Sequence, residues 1–73
     1  MIDANTAISV QINGEAHDFP TSLFLPELLA QIGMNPRLVA VEYNGEILHR
    51  QYWSTTQVKD CDRLEIVTIV GGG

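Results

Sequence analysis

The sequence predicts an α+β domain in which a mixed five-stranded sheet packs on one main helix, in the order β-β-α-β-β-β. Three observations carry this. Apolar residues alternate with a period of two in the predicted first and last strands, and β-branched residues fill the third. The period changes once, to a helical one, within "PTSLFLPELLAQIG". Two Asn-Gly pairs join strand-like runs, and Asn-Gly is the strongest short-range hairpin signal. One helix is used economically when its apolar stripe lies across one sheet face.

Residues 1–6 are mostly polar and read as a frayed N-terminus. In "AISVQI", Ile8, Val10 and Ile12 share one face and Ala7, Ser9 and Gln11 the other. Asn13–Gly14 turns the chain into "EAHDF", a weaker second strand. Leu25, Leu28, Leu29 and Ile32 then form one helical stripe. Pro26 is tolerable only in a first turn, so the helix begins near Leu25 or Pro26. Gly33 suits its C-terminal cap, and Pro36 prevents it from resuming.

"RLVAVEY" is the third strand, and Asn44–Gly45 turns it into "EILHR". "QYWSTTQVKDCD" reads as irregular. In "RLEIVTIV", Leu64, Ile66, Thr68 and Val70 share one face, and Glu65, Val67 and Ile69 the other. A strand apolar on nearly both faces belongs inside a sheet. The first and last strands are therefore expected side by side at its centre. The domain should span 7–70, followed by a flexible glycine tail, Gly71, Gly72 and Gly73.

Composition narrows the function. A chain of 73 residues is one domain. Its single cysteine, Cys61, allows no internal disulfide, and no Cys/His cluster has zinc spacing. Nine acids against four bases give a formal charge of −5. That charge argues against nucleic acid as a partner and for a basic protein surface. No run approaches the roughly 18 apolar residues of a membrane span. "MIDANTA" lacks the basic start and apolar run of a signal peptide. The expected location is the cytoplasm.

"VAVEYNGEILHR", Trp53 and the closing "DRLEIVTIVGGG" resemble the ThiS family of thiamin-biosynthesis sulfur carriers. The resemblance runs from about Ala7 to Gly73 and implies a ubiquitin-like β-grasp fold. It also implies a protein co-substrate that is not itself an enzyme. In that family an E1-like adenylating enzyme of the ThiF type uses ATP and magnesium to adenylate the C-terminal glycine carboxylate. A sulfur donor system converts the adenylate to a thiocarboxylate, and a ThiG-type thiazole synthase receives the sulfur. Carried over, Gly73 bears the sulfur, and Gly71 and Gly72 thread into the partner. The carrier itself holds no cofactor. The same ending also fits MoaD-like carriers, carriers for tRNA thiolation and ubiquitin-like protein modifiers, and a plain interaction module is the remaining alternative.

The chemistry explains the glycines. A free α-carboxylate, with a pKa near 3.5, is ionised and a poor electrophile at neutral pH. It must be activated inside another protein. Glycine has no Cβ, so it passes a narrow channel and takes φ values closed to other residues. Three extended residues span roughly 10 Å, enough to reach a buried nucleotide.

The chain departs from the family at His49, where proline is frequent, and at Cys61, where a turn glycine is common. Phe24 replaces a helix-capping threonine, and Gly71 adds a third glycine. A positive φ at Cys61 would carry strain. Other residues have plainer readings. Cys61 has no base beside it and reads as a bystander. His17 and His49 are placed in strands away from the tail, without a neighbouring nucleophile. Asp60 and Asp62 read as turn formers rather than metal ligands. Trp53 is expected in the core, with a partner anchor as its alternative. Of the last strand's two apolar faces, one should meet the helix and the other should be free to dock a partner.

Overall fold

A computed structural model describes residues 6–69. Strand β1 (Ile8–Ile12) and strand β2 (Glu15–Phe19) form the first hairpin. Asn13 and Gly14 both take positive φ, +52° and +84°, as a type I′ turn requires. A short strand β3 (Leu23–Phe24) leads into helix α1 (Leu25–Gln31). Strand β4 (Val39–Tyr43) and strand β5 (Glu46–Ile47) form the second hairpin, turned by Asn44 and Gly45 in the same way. Strand β6 (Gln57–Val58) precedes strand β7 (Arg63–Thr68).

The main sheet has the order β2-β1-β7-β4-β5. Strand β7 is central as expected, parallel to β1 and antiparallel to β4. This is the β-grasp arrangement. The expectations for residues 1–5, Val70 and the glycine tail lie outside the described residues.

Two features escape the sequence pattern. "QYWSTTQVKDCD" is not simply irregular. A 3-10 helix spans Arg50–Thr55, and β6 pairs with β3 in a second, two-stranded sheet. Also, "EILHR" is a strand only over Glu46–Ile47, because the chain turns into the 3-10 helix after His49. His49 is therefore exposed outside any strand. A two-residue strand offers no period to read, so pattern alone could not find these pieces.

Helix α1 starts as Pro26 dictates and ends as Gly33 dictates. At its start, the Glu27 carboxylate accepts from the Phe24 backbone N–H at 3.2 Å, and the Thr56 carbonyl accepts from Leu25 N–H at 3.0 Å. These two bonds replace part of what a threonine cap would give. At its end, Gly33 N–H donates to the Ala30 carbonyl and Met34 N–H to that of Leu29, with Gly33 at φ +79°. That pair of bonds is a Schellman cap. Leu25, Leu28 and Leu29 are fully buried against Val10, Val41, Val58, Leu64 and Ile66, and Ile32 packs at the margin.

Trp53 is a core residue, buried with its indole N–H donating to the Leu48 carbonyl at 2.9 Å. The Arg50 guanidinium lies 4.6 Å from the ring centroid and donates to the Pro36 and Val39 carbonyls. It thereby ties the 3-10 helix to the start of β4.

Side chains clamp β7 from both hairpin turns. Asn13 accepts from Ile66 N–H at 2.7 Å and donates to the Ile66 carbonyl at 3.0 Å. It continues the β1–β7 ladder, whose paired residues stop at Ile12 and Leu64. Asn44 accepts from Arg63 N–H at 2.8 Å and donates to Asp62 at 3.2 Å. Asp62 also accepts from Lys59 N–H at 2.8 Å and from the Tyr43 hydroxyl. Asp60 accepts from Ser9 N–H at 2.8 Å. Both aspartates thus act as turn formers, and no cluster of metal-ligating residues occurs among the described residues. No helix among them is long and apolar enough to cross a membrane.

Three predictions follow from this packing. Leu28→Ala should cost about 2–5 kcal/mol, comparable to the net stability of a core this small, so urea denaturation should show a largely unfolded variant at 25 °C. Cys61 sits at φ +71°, where a non-glycine residue costs about 1–2 kcal/mol and glycine only its extra chain entropy of about 0.5–1. Cys61→Gly should therefore raise Tm by a few degrees, roughly 4–8 °C per kcal/mol. Burial first, then Asp62, pushes the Tyr43 phenol up to about 12. This raised value favours folding below the unfolded phenol's pKa near 10, and the contribution is lost as pH rises through 12. In Asp62→Ala, absorbance titration should place Tyr43 ionisation at lower pH, and denaturation should show a loss of about 1–3 kcal/mol at neutral pH.

Candidate functional site

The residues expected to carry function, Gly71, Gly72 and Gly73, lie outside the described residues. The structure does fix the ground they leave from. Strand β7 ends at Thr68, and Ile69 N–H donates to the Leu38 carbonyl at 2.6 Å. The backbone is therefore held beside the start of β4 immediately before the tail begins. The end of β7 is held by β4, where Thr68 pairs with Val39, while the Asn13 side chain grips the strand at Ile66 and Asn44 at its start, Arg63.

The period of two assigns the faces of this strand. Leu64 and Ile66 point to the helix and are buried. Val67 and Ile69 do not, and are 58% and 45% exposed. Register places Ala40 opposite Val67, Glu42 opposite Glu65, and Ile47 opposite Glu42. Ile47 is 70% exposed. The outer sheet face therefore carries an apolar patch of Ala40, Ile47, Val67 and Ile69, with Glu42 and Glu65 along one side. Leu38, 49% exposed, adds to the corner where Ile69 is held. This settles which of the two apolar faces is free.

The other candidates separate by distance. From Arg63 to Ile69 the strand runs about 20 Å, and Cys61 lies beyond its start. Four residues of extended chain reach at most about 14 Å, so within one molecule residues 70–73 cannot bring Gly73 back to Cys61. Cys61 is exposed, and its contact with the Asp60 carboxylate raises the thiol pKa, which disfavours the reactive thiolate.

His17 sits half-buried in β2, at the sheet edge opposite β5. His49 departs from the expectation of a place away from the tail. It lines a cavity of about 170 Å³ together with Ile47, Arg50, Trp53 and Ile69. The antiparallel β4–β5 hairpin folds it back beside the end of β7. That proximity is a pairing between residues twenty apart in the sequence, with no local signal to reveal it.

Comparison with known proteins places these features in a family. The model of the ThiS family matches residues 8–73, which includes the glycine tail. A protein of Porphyra purpurea named ycf40 is 41% identical over 69 residues, covering 94% of this chain and 97% of that one. A thiazole synthase of Paramagnetospirillum magneticum is 44% identical over 62 residues, covering 85% of this chain but 19% of that protein. The crystal structure of thiamine biosynthesis protein ThiS from Geobacter metallireducens superposes with a TM-score of 0.78 at 35% identity, covering 90% of this chain and all of that one. With a match extending from β1 through Gly73 and a shared fold, the chain belongs to the ThiS family.

Proposed function

We propose that this protein is the sulfur carrier of thiamin thiazole synthesis, a protein co-substrate rather than an enzyme. The observation that carries this reading is that the ThiS family match continues through Gly73, beyond the last strand that any fold argument requires. A carboxylate oxygen of Gly73 attacks the α-phosphorus of ATP in an E1-like activating enzyme, and pyrophosphate leaves. The resulting acyl adenylate is an electrophile, as the free carboxylate is not. Hydrosulfide released by the donor system then adds to the carbonyl carbon, the C–O bond to AMP breaks and AMP departs with the electron pair, which leaves a thiocarboxylate on Gly73.

ATP and magnesium belong to the activating enzyme in this scheme. Its partners are a ThiF-type adenylating enzyme and a ThiG-type thiazole synthase. The thiazole synthase of Paramagnetospirillum magneticum supports the second, since a ThiS-like segment lies within that protein itself. The outer face of β4, β5 and β7 supports partner docking, because its exposed apolar residues border the point where Gly71 and Gly72 would enter a partner's active site. Fixing each tail residue costs about 1–2 kcal/mol of chain entropy. That cost favours release after transfer over a permanent complex.

Deleting Gly72 and Gly73 should abolish sulfur transfer to thiazole synthase while the thermal unfolding midpoint stays within about 2 °C, since the buried core is built from Ile8 to Ile66. A truncated chain that unfolds would make the glycines structural and contradict the proposal, as would a truncated chain that still delivers sulfur.

A further inference from the structure

Glu42 and Glu65 stand directly opposite each other on β4 and β7. Both side chains are on the outer face and exposed. Like charges in direct cross-strand register destabilise a sheet. Neither carboxylate has a hydrogen-bond or ion-pair partner among the described residues. Arg63, two residues along the same face, forms no such pair with them. The two glutamates do not stand on a flat surface. They border a groove of about 200 Å³ whose remaining lining is Ala40, Val41, Ile47 and Val67. The groove thus has an apolar floor and two carboxylates without an ion-pair partner at its rim, with Arg63 lining an adjoining cavity that the same two glutamates share.

We infer that this groove is a socket for one arginine side chain of the enzyme that activates the tail. An arginine stem is apolar and packs along apolar surface while its head stays polar. The planar guanidinium carries several donors in a fork, so one head can engage two carboxylates together. A lysine head would be a point charge against the same pair. The occupant relieves a repulsion that the free carrier holds, so the contact is worth more in the complex than its own attraction. With a net charge of −5 the carrier approaches a basic surface quickly. The glutamate pair gives that approach a register on the sheet face that also carries Val67 and Ile69. The identity of the occupant rests on the carrier reading above.

The test measures ATP–pyrophosphate exchange by the activating enzyme as a function of carrier concentration at low and moderate salt, alongside Tm of each carrier. In Glu42→Gln/Glu65→Gln the fold keeps its shape and loses the repulsion, so Tm should rise. KM should rise about tenfold at low salt with kcat within twofold, and its salt dependence should flatten. Glu65→Lys supplies the groove with a cation of its own. Its Tm should also rise, and its KM should rise more than in the double glutamine variant. Opposite signs for stability and recognition are the signature of a socket, because a structural role would move both together. A Tm that does not rise, or KM and salt dependence equal to the natural carrier's, would overturn the socket. Absence of exchange with the natural carrier would overturn the carrier reading instead.

Discussion

Everything in this domain depends on one strand lying at the centre of the sheet and ending at the tail. Strand β7 must bury Leu64 and Ile66 under the helix to complete the core. In the proposed function it must also hold residue 69 in place for the residues that follow. Main-chain bonds from β4 and a short parallel pairing with β1 hold it. Where β1 ends, the Asn13 side chain takes over and bonds both polar groups of Ile66. The result is a strand held firmly as far as Ile69. Preorganisation of this kind lowers the entropy to be lost on binding.

The two Asn-Gly turns show local and tertiary roles converging on single residues. Each asparagine takes the positive φ that a type I′ turn demands. Each also turns its side chain onto the backbone of β7. Aspartate could take the same φ but could not donate to the Ile66 carbonyl as Asn13 does. The glutamate pair shows the opposite relation, a local cost kept on the surface. Local conflicts of this sort concentrate where a protein meets its partners.

Much of the fold was legible because its elements carry strong periods or strong punctuation. The leucine stripe, Pro26 and Gly33 set the helix almost to the residue. The doubly apolar last strand announced its central place. The 3-10 helix and the β3–β6 pair were not legible, since they are too short for a period and are fixed by tertiary contacts such as Trp53 to Leu48 and Arg50 to Val39. For the site, sequence resemblance pointed to the glycines. Only the register revealed that Glu42 faces Glu65, and only the hairpin return placed His49 near Ile69. Both are contacts between distant residues, which a single sequence does not encode in any local pattern.

The central claim is that Gly73 receives sulfur. Its most direct test is the intact mass of the chain after incubation with the activating enzyme, ATP, magnesium and a sulfur donor. The account predicts a gain equal to one oxygen replaced by sulfur, located at Gly73 by fragmentation and absent without ATP. An unchanged mass, with the same enzyme active on another carrier, would contradict it and leave a β-grasp domain with a different purpose for its tail.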